Sequence, residues 1–243
     1  MRAFRVALAF LTRLPLSAGE VQPSEMARAL AFFPAVGLLI GALLAAAQLA
    51  LGRRLPAELS ALALVATWAL LTGALHLDGV ADLFDGLGGG RGDPARALAI
   101  MRDSRIGAHG AVALVLALSA KVSATATLVT HGAVWPLLAA PIAARWAVVP
   151  IVAWVRYARA EGLGRAMTDH ARAADIVWAS LLAIACLAAL GLRVLYPTLT
   201  ALACAAVLAA SVRAKLGGLT GDVYGAVIEL AELGFLVASV CVL

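Results

Sequence analysis

Asp78, Asp82 and Asp85 stand at i, i+4 and i+7 within the stretch His76-Leu-Asp-Gly-Val-Ala-Asp-Leu-Phe-Asp-Gly86. On a helix these positions share an arc of about 60°. Like charges one turn apart destabilise an isolated helix by roughly 0.2–0.5 kcal/mol per pair, and no Lys or Arg lies nearby in sequence to offset them. Three converging carboxylates without a partner imply a missing cation, and hard oxygen ligands suit Mg²⁺, Mn²⁺ or Ca²⁺. Mg²⁺ in particular uses few carboxylates and fills its shell with water and substrate phosphate. The spacing is not that of an EF-hand loop. The blander alternative is a solvated helix end, or aspartates paired with distant arginines.

The neighbouring residues extend the same chemistry. Gly86-Leu-Gly-Gly-Gly-Arg-Gly92 reads as a flexible hinge whose backbone approaches a phosphate closely, although it is not a Walker A loop. Asp93-Pro94 caps a short helix leading to Arg102-Asp103-Ser104-Arg105. Arginines beside a carboxylate face suit a pyrophosphate. Asp222 opens the last apolar run, with Glu229 seven residues on along one face and Glu232 three further. Carboxylates inside a membrane span are costly and usually functional; the alternative is a helix–helix ion pair with Lys121 or Arg145. The segment 156–175 adds Arg156, Arg159, Arg165, Asp169 and His170, suited either to substrate binding or to anchoring at the membrane surface.

The elements that position these groups are membrane helices. Apolar residues make up 63% of the 243 and charged residues 14%, against about 45–50% and about 25% in soluble domains. The excess apolar surface must face lipid. The expectation is an all-α, polytopic integral membrane bundle of six to seven transmembrane helices, forming one membrane-embedded domain over 1–243. The spans are expected near 30–51, 59–75, 110–129, 134–155, 176–192, 198–212 and 223–243, with the acidic stretch continuing from the second and the sixth short for a crossing. Phe4, Leu8 and Leu11, flanked by Arg2, Arg5 and Arg13, predict a short N-terminal interfacial helix ended by Pro15. The apolar patch before Leu11 is too short for a signal peptide. Cys186, Cys204 and Cys241 lie in apolar runs without metal-like spacing and read as packing residues.

Placing the N-terminus inside puts fourteen of the 19 Lys and Arg residues on the cytoplasmic side, with only Arg53, Arg54 and Arg193 outside. That asymmetry explains the net charge of +5 without nucleic acid. Both long polar connections, 76–109 and 156–175, then face the cytoplasm with the candidate chemistry.

At these residues the sequence resembles the cobalamin synthase, or adenosylcobinamide-GDP ribazoletransferase, family over essentially the whole chain. The resemblance rests on Phe10-Leu-Thr-Arg-Leu-Pro15, Phe32-Phe-Pro34 with Gly37 and Gly41, and the block from His76 to Gly90. Met101-Arg-Asp-Ser-Arg-Ile-Gly107, Ala158-Arg-Ala-Glu-Gly-Leu-Gly164 and Gly217-Gly-Leu-Thr-Gly-Asp-Val-Tyr-Gly-Ala226 add to it. Leu83-Phe84 and His109 depart from the expected pattern without removing a carboxylate. The resemblance implies transfer of the adenosylcobinamide-phosphate group of adenosylcobinamide-GDP to α-ribazole or its 5′-phosphate, with release of GMP and Mg²⁺ as cofactor. In that scheme Asp78, Asp82, Asp85 and Asp222 are the metal ligands, and Asp82 or Asp85 takes the hydroxyl proton. Arg13, His76, Arg102, Asp103, Ser104, Arg105, Arg159, Thr220 and Glu229 are the expected substrate contacts. The expected setting is a bacterial inner membrane; a homo-oligomer or association with other corrinoid-pathway membrane enzymes stays open.

Two other readings compete. A CDP-alcohol phosphotransferase does similar chemistry on lipid alcohols, but its Asp-x-x-Asp-Gly-x-x-Ala-Arg pattern and second aspartate pair are missing here. A secondary transporter places ionisable groups near the bilayer midplane and often shows internal repeats; Lys121, Arg145 and Glu229 favour it, and the lack of a repeat does not.

Overall fold

The computed structural model describes residues 1–15, 19–52 and 54–243; Arg53, counted above as an outer charge, lies outside the described residues. The architecture is all-helical, and the only bridge among the described residues pairs Tyr157 with Leu219. The helices in chain order are α1 (Arg2–Leu11), α2 (Pro23–Ala29), α3 (Phe33–Leu51), α4 (Ala57–Thr72), α5 (Leu75–Gly90) and α6 (Pro94–Ile100). They are followed by α7 (Ala108–Thr130), α8 (Trp135–Trp154), α9 (Leu163–His170), α10 (Ala173–Ala188), α11 (Leu195–Leu216) and α12 (Gly221–Val240). Five units are long and apolar enough to cross a bilayer: Pro23–Leu51, α7, α8, Leu192–Leu216 and α12. The bent pairs α4–α5 and α9–α10 bring the total to seven if each is one span.

Every expected apolar run falls on a helix, with three differences. The sixth is not short: α11 carries Arg213 and Lys215 within its last turn, where cations suit the dipole and long side chains reach outward. The acidic stretch does not continue α4. Gly73 and Ala74 both adopt left-handed backbone, φ 62° and 57°, and α5 leaves at 88°. A non-glycine residue in that region costs about 1–2 kcal/mol, and the N-terminal segment holds the bend: Arg13 N–H donates to Leu71 O at 2.8 Å, and the Arg13 side chain lies against Gly73. We therefore place α5 outside the spanning segments. Finally, Gly86–Gly90 is not a hinge but the last turn of α5. A Cβ at Gly90 would meet Ala97 of α6 at 2.7 Å, and one at Gly88 would meet His109 of α7 at 2.5 Å. The glycines are there for close packing.

Small residues also set the bundle's centre. A Cβ at Gly37 would lie 2.4 Å from Pro141 O, and one at Gly41 2.3 Å from Leu138 O, so α3 meets α8 backbone to backbone. α1 buries Val6, Ala7, Leu8 and Leu11 while Arg2 and Arg5 stay exposed, the amphipathic pattern read from its sequence. Its chain turns extended at Thr12, whose hydroxyl donates to Leu8 O at 2.7 Å.

Candidate active site

The site forms where α5 passes the start of α12. Gly79 makes that approach possible: a Cβ there would sit 2.4 Å from Asp222 O and 3.2 Å from Ala226 N. Asp78, the residue before it, is exposed, Asp82 is half-buried and Asp85 is buried. Burial first, then the Asp78 and Asp222 carboxylates, push the Asp82 carboxyl up to about 6, with Arg159 opposing the rise. Asp82 thus senses carboxylates from both helices.

Thr220 caps α12, its buried hydroxyl accepting from Val223 N at 3.4 Å and donating to Asp222 Oδ2 at 3.2 Å. The connection after α8 is stitched to the same turn, Ala158 N donating to Leu219 O at 2.8 Å and Leu219 N to Arg156 O at 2.9 Å. That stitch delivers Arg159, whose Nη2 donates to Asp222 Oδ2 at 2.8 Å and to Met101 O at 3.3 Å. Arg159 Nε is buried with no hydrogen-bond partner among the described residues.

Asp85 is positioned differently from its two neighbours. Its oxygens accept from Gly107 N at 2.7 Å and Gly110 N at 2.9 Å, the free amides at the N-terminus of α7. A side chain at either glycine would meet this carboxylate at 2.4 Å. Asp85 therefore fastens α5 to α7. Arg102, Ser104 and Arg105 are exposed on the connection before α7, where Arg105 pairs with Asp103 at 2.6 Å and holds that carboxyl down at about 2.

Glu229 stands apart from this site. Lys121 Nζ donates to Glu229 Oε1 at 2.6 Å and to Glu232 Oε2 at 2.7 Å, Arg145 pairs with Glu232, and the Lys121 ammonium lies 4.0 Å from the centre of the Trp68 ring. All four charges are buried. This is the ion-pair arrangement weighed above as the alternative for the acidic residues of α12.

A cavity of about 290 Å³ runs from the carboxylates into the bundle. Asp78, Arg159 and Asp222 line it with His76, Tyr157 and Tyr224, and with apolar residues from α1, α3, α8 and α9. His76 is buried, and its Nε2 has no hydrogen-bond partner among the described residues. Of the cavity-lining residues, Phe10 and Tyr224 entered only within motifs of the resemblance, and Tyr157 and Met167 not at all, because a single aromatic or thioether side chain gives no distinct signal. Among the described residues no three His, Cys, Asp or Glu side chains are placed to close on one ion. The donor set is all oxygen, Asp78 from one helix and Asp222 from the other, which fits Mg²⁺ held by one or two carboxylates and completed by substrate.

A family model described as cobalamin-5-phosphate synthase matches residues 3–240. A protein of Ectopseudomonas mendocina named adenosylcobinamide-GDP ribazoletransferase is 43% identical over 239 residues, covering 98% of this chain and 98% of that one. Proteins of the same name from Pseudomonas aeruginosa PAO1 and Syntrophobacter fumaroxidans are each 42% identical, covering 98% of this chain and 97% and 98% of theirs. No solved structure matches. The comparisons give no support to a lipid phosphotransferase or a transporter. With the match running through α1, the acidic helix, the Arg159 connection and α12 alike, the chain belongs to the cobalamin-5-phosphate synthase family.

Proposed function

We propose that this protein joins adenosylcobinamide-GDP to α-ribazole or its 5′-phosphate, releasing GMP, at the face where Asp78 and Asp82 meet Asp222 and Arg159. The supporting observation is the pairing of that face with a base-sized cavity, in a chain whose relatives bear that activity's name over their full length. A ribose hydroxyl oxygen forms a bond to the phosphorus next to the corrinoid. The bond from that phosphorus to the bridging oxygen breaks, and GMP leaves with that oxygen. Such transfers depend on positioning and charge neutralisation more than on covalent help from the protein.

Asp82 accepts the hydroxyl proton, since a carboxyl raised to about 6 is a serviceable base. Asp85, with both oxygens engaged by amides, keeps α7 in place. Arg159 offers a phosphate oxygen its Nε, which has no hydrogen-bond partner among the described residues, and Arg102 and Arg105 stay exposed on the connection before α7. Mg²⁺ would be held by Asp78 and Asp222, and when bound supplies charge neutralisation on the pyrophosphate. The Lys and Arg asymmetry supports a cytoplasmic placement of this face, in a bacterial inner membrane.

The test is purified protein in lipid nanodiscs with adenosylcobinamide-GDP and α-ribazole, with and without Mg²⁺. Formation of GMP and a cobalamin in equal amounts, lost on chelation and restored by Mg²⁺, is the expected result. A folded preparation that yields neither product overturns the assignment.

A further inference from the structure

The cavity has a size, a direction and a polarity that select among the substrate parts. It runs inward: Asp222, Gly225 and Ile228 follow one another up α12, and Val152 and Val148 do so on α8. At about 290 Å³ it lies at the lower edge of ligand pockets, which span about 300–1,000 Å³. A corrin macrocycle does not enter such a space. Beyond Asp78, Arg159 and Asp222 its wall is mostly apolar, with the Tyr157 and Tyr224 rings and one buried imidazole whose Nε2 lacks a partner among the described residues. Guanine, with an amide, an exocyclic amine and two further ring acceptors, needs more polar partners than the His76 imidazole and two tyrosine hydroxyls supply, which a buried site penalises. A substituted benzimidazole is flat and apolar, with a single free ring nitrogen.

Resting on the reaction assigned above, we infer that this cavity holds the aromatic base of the acceptor riboside, with His76 facing its ring nitrogen. The sugar then lies at the mouth, among Asp78, Asp222 and Arg159. The corrinoid and guanosine stay outside, over the exposed side of the site. His76 thereby acts as a specificity residue rather than a catalytic one.

The experiment combines steady-state kinetics with equilibrium binding of radiolabelled α-ribazole, no donor being present, to protein in nanodiscs. Val152→Phe fills the cavity from α8. It should raise the KM for α-ribazole by about tenfold or more, the scale of a one- or two-carbon misfit in an apolar pocket, and leave the donor KM unchanged. Val152→Ala should do the reverse for bulk, accepting a riboside of a larger fused base that wild type rejects. This second variant keeps the test decisive if Val152→Phe does not fold. A changed donor KM with an unaltered acceptor KM in a folded variant would assign the cavity to the donor and overturn the inference, as would unchanged α-ribazole binding in both variants. If wild type forms no GMP yet binds α-ribazole, and Val152→Phe abolishes that binding, the cavity assignment stands while the reaction assignment falls.

Discussion

Two groups of charged side chains occupy this bundle, one where α5 meets the start of α12 and one midway along α12, and they are built in opposite ways. Midway, Lys121 and Arg145 face Glu229 and Glu232, two cations against two carboxylates, all buried and ion-paired, with Arg145 Nε and Nη2 left without a hydrogen-bond partner among the described residues. At the helix ends, Asp78, Asp82 and Asp222 come together with Arg159, which pairs with Asp222, and burial followed by the neighbouring carboxylates raises the Asp82 carboxyl to about 6. Residue types and distance from the chain's apolar runs do not separate the two. Balance does: the midway set is neutral in itself, whereas the set at the helix ends carries surplus negative charge, which we propose a bound cation offsets.

The sharpest way to break that contrast is Asp82→Asn. It should lower turnover by about 10²–10⁴-fold, the worth of a general base, with the melting temperature in detergent unchanged. Equal losses of activity and stability would merge the two groups into one. Glu232→Gln should do the converse. It leaves two buried cations sharing Glu229, and should cost about 3–5 kcal/mol of stability, read as a lowered unfolding midpoint; a variant as stable as wild type would show the midway set to be dispensable. The smallest effect belongs to Asp103→Asn. Arg105 depresses the folded carboxyl to about 2, so any stabilisation is present above the ordinary carboxylate range and lost as the pH falls towards that value. The pair is solvent-exposed, so thermal unfolding near neutral pH should not move. A marked shift would give this surface pair the role reserved here for buried ones.

The helices were legible because lipid leaves no alternative: each span must be an apolar run long enough to cross. What the runs hide is direction. Nothing in Leu71-Thr72-Gly73-Ala74-Leu75 distinguishes a continuing helix from an 88° bend except one glycine, and the bend depends on Arg13, some sixty residues earlier. The glycine run invited a hinge because backbone freedom is a local property, while its use here, against Ala97 and His109, is tertiary. Asp78, Asp82 and Asp85 share a face as their spacing requires, yet only the fold separates a carboxylate bound to α7 amides from one without such a partner among the described residues. The Arg159–Asp222 pair joins segments 63 residues apart, and no periodicity reports such a contact.

The midway charges also carry a consequence for how the protein is made. Lys121 belongs to α7 and Arg145 to α8, and both leave the ribosome before α12 brings Glu229 and Glu232. A cation at the centre of an inserting helix costs about 2.5–3.5 kcal/mol, which the other, apolar residues of α7 and α8 must outweigh until the carboxylates arrive. The debt is settled only when α12 inserts between them. The order of synthesis therefore leaves both cations without these carboxylates until α12 is made, which makes α12 the element that completes the charge balance of the bundle.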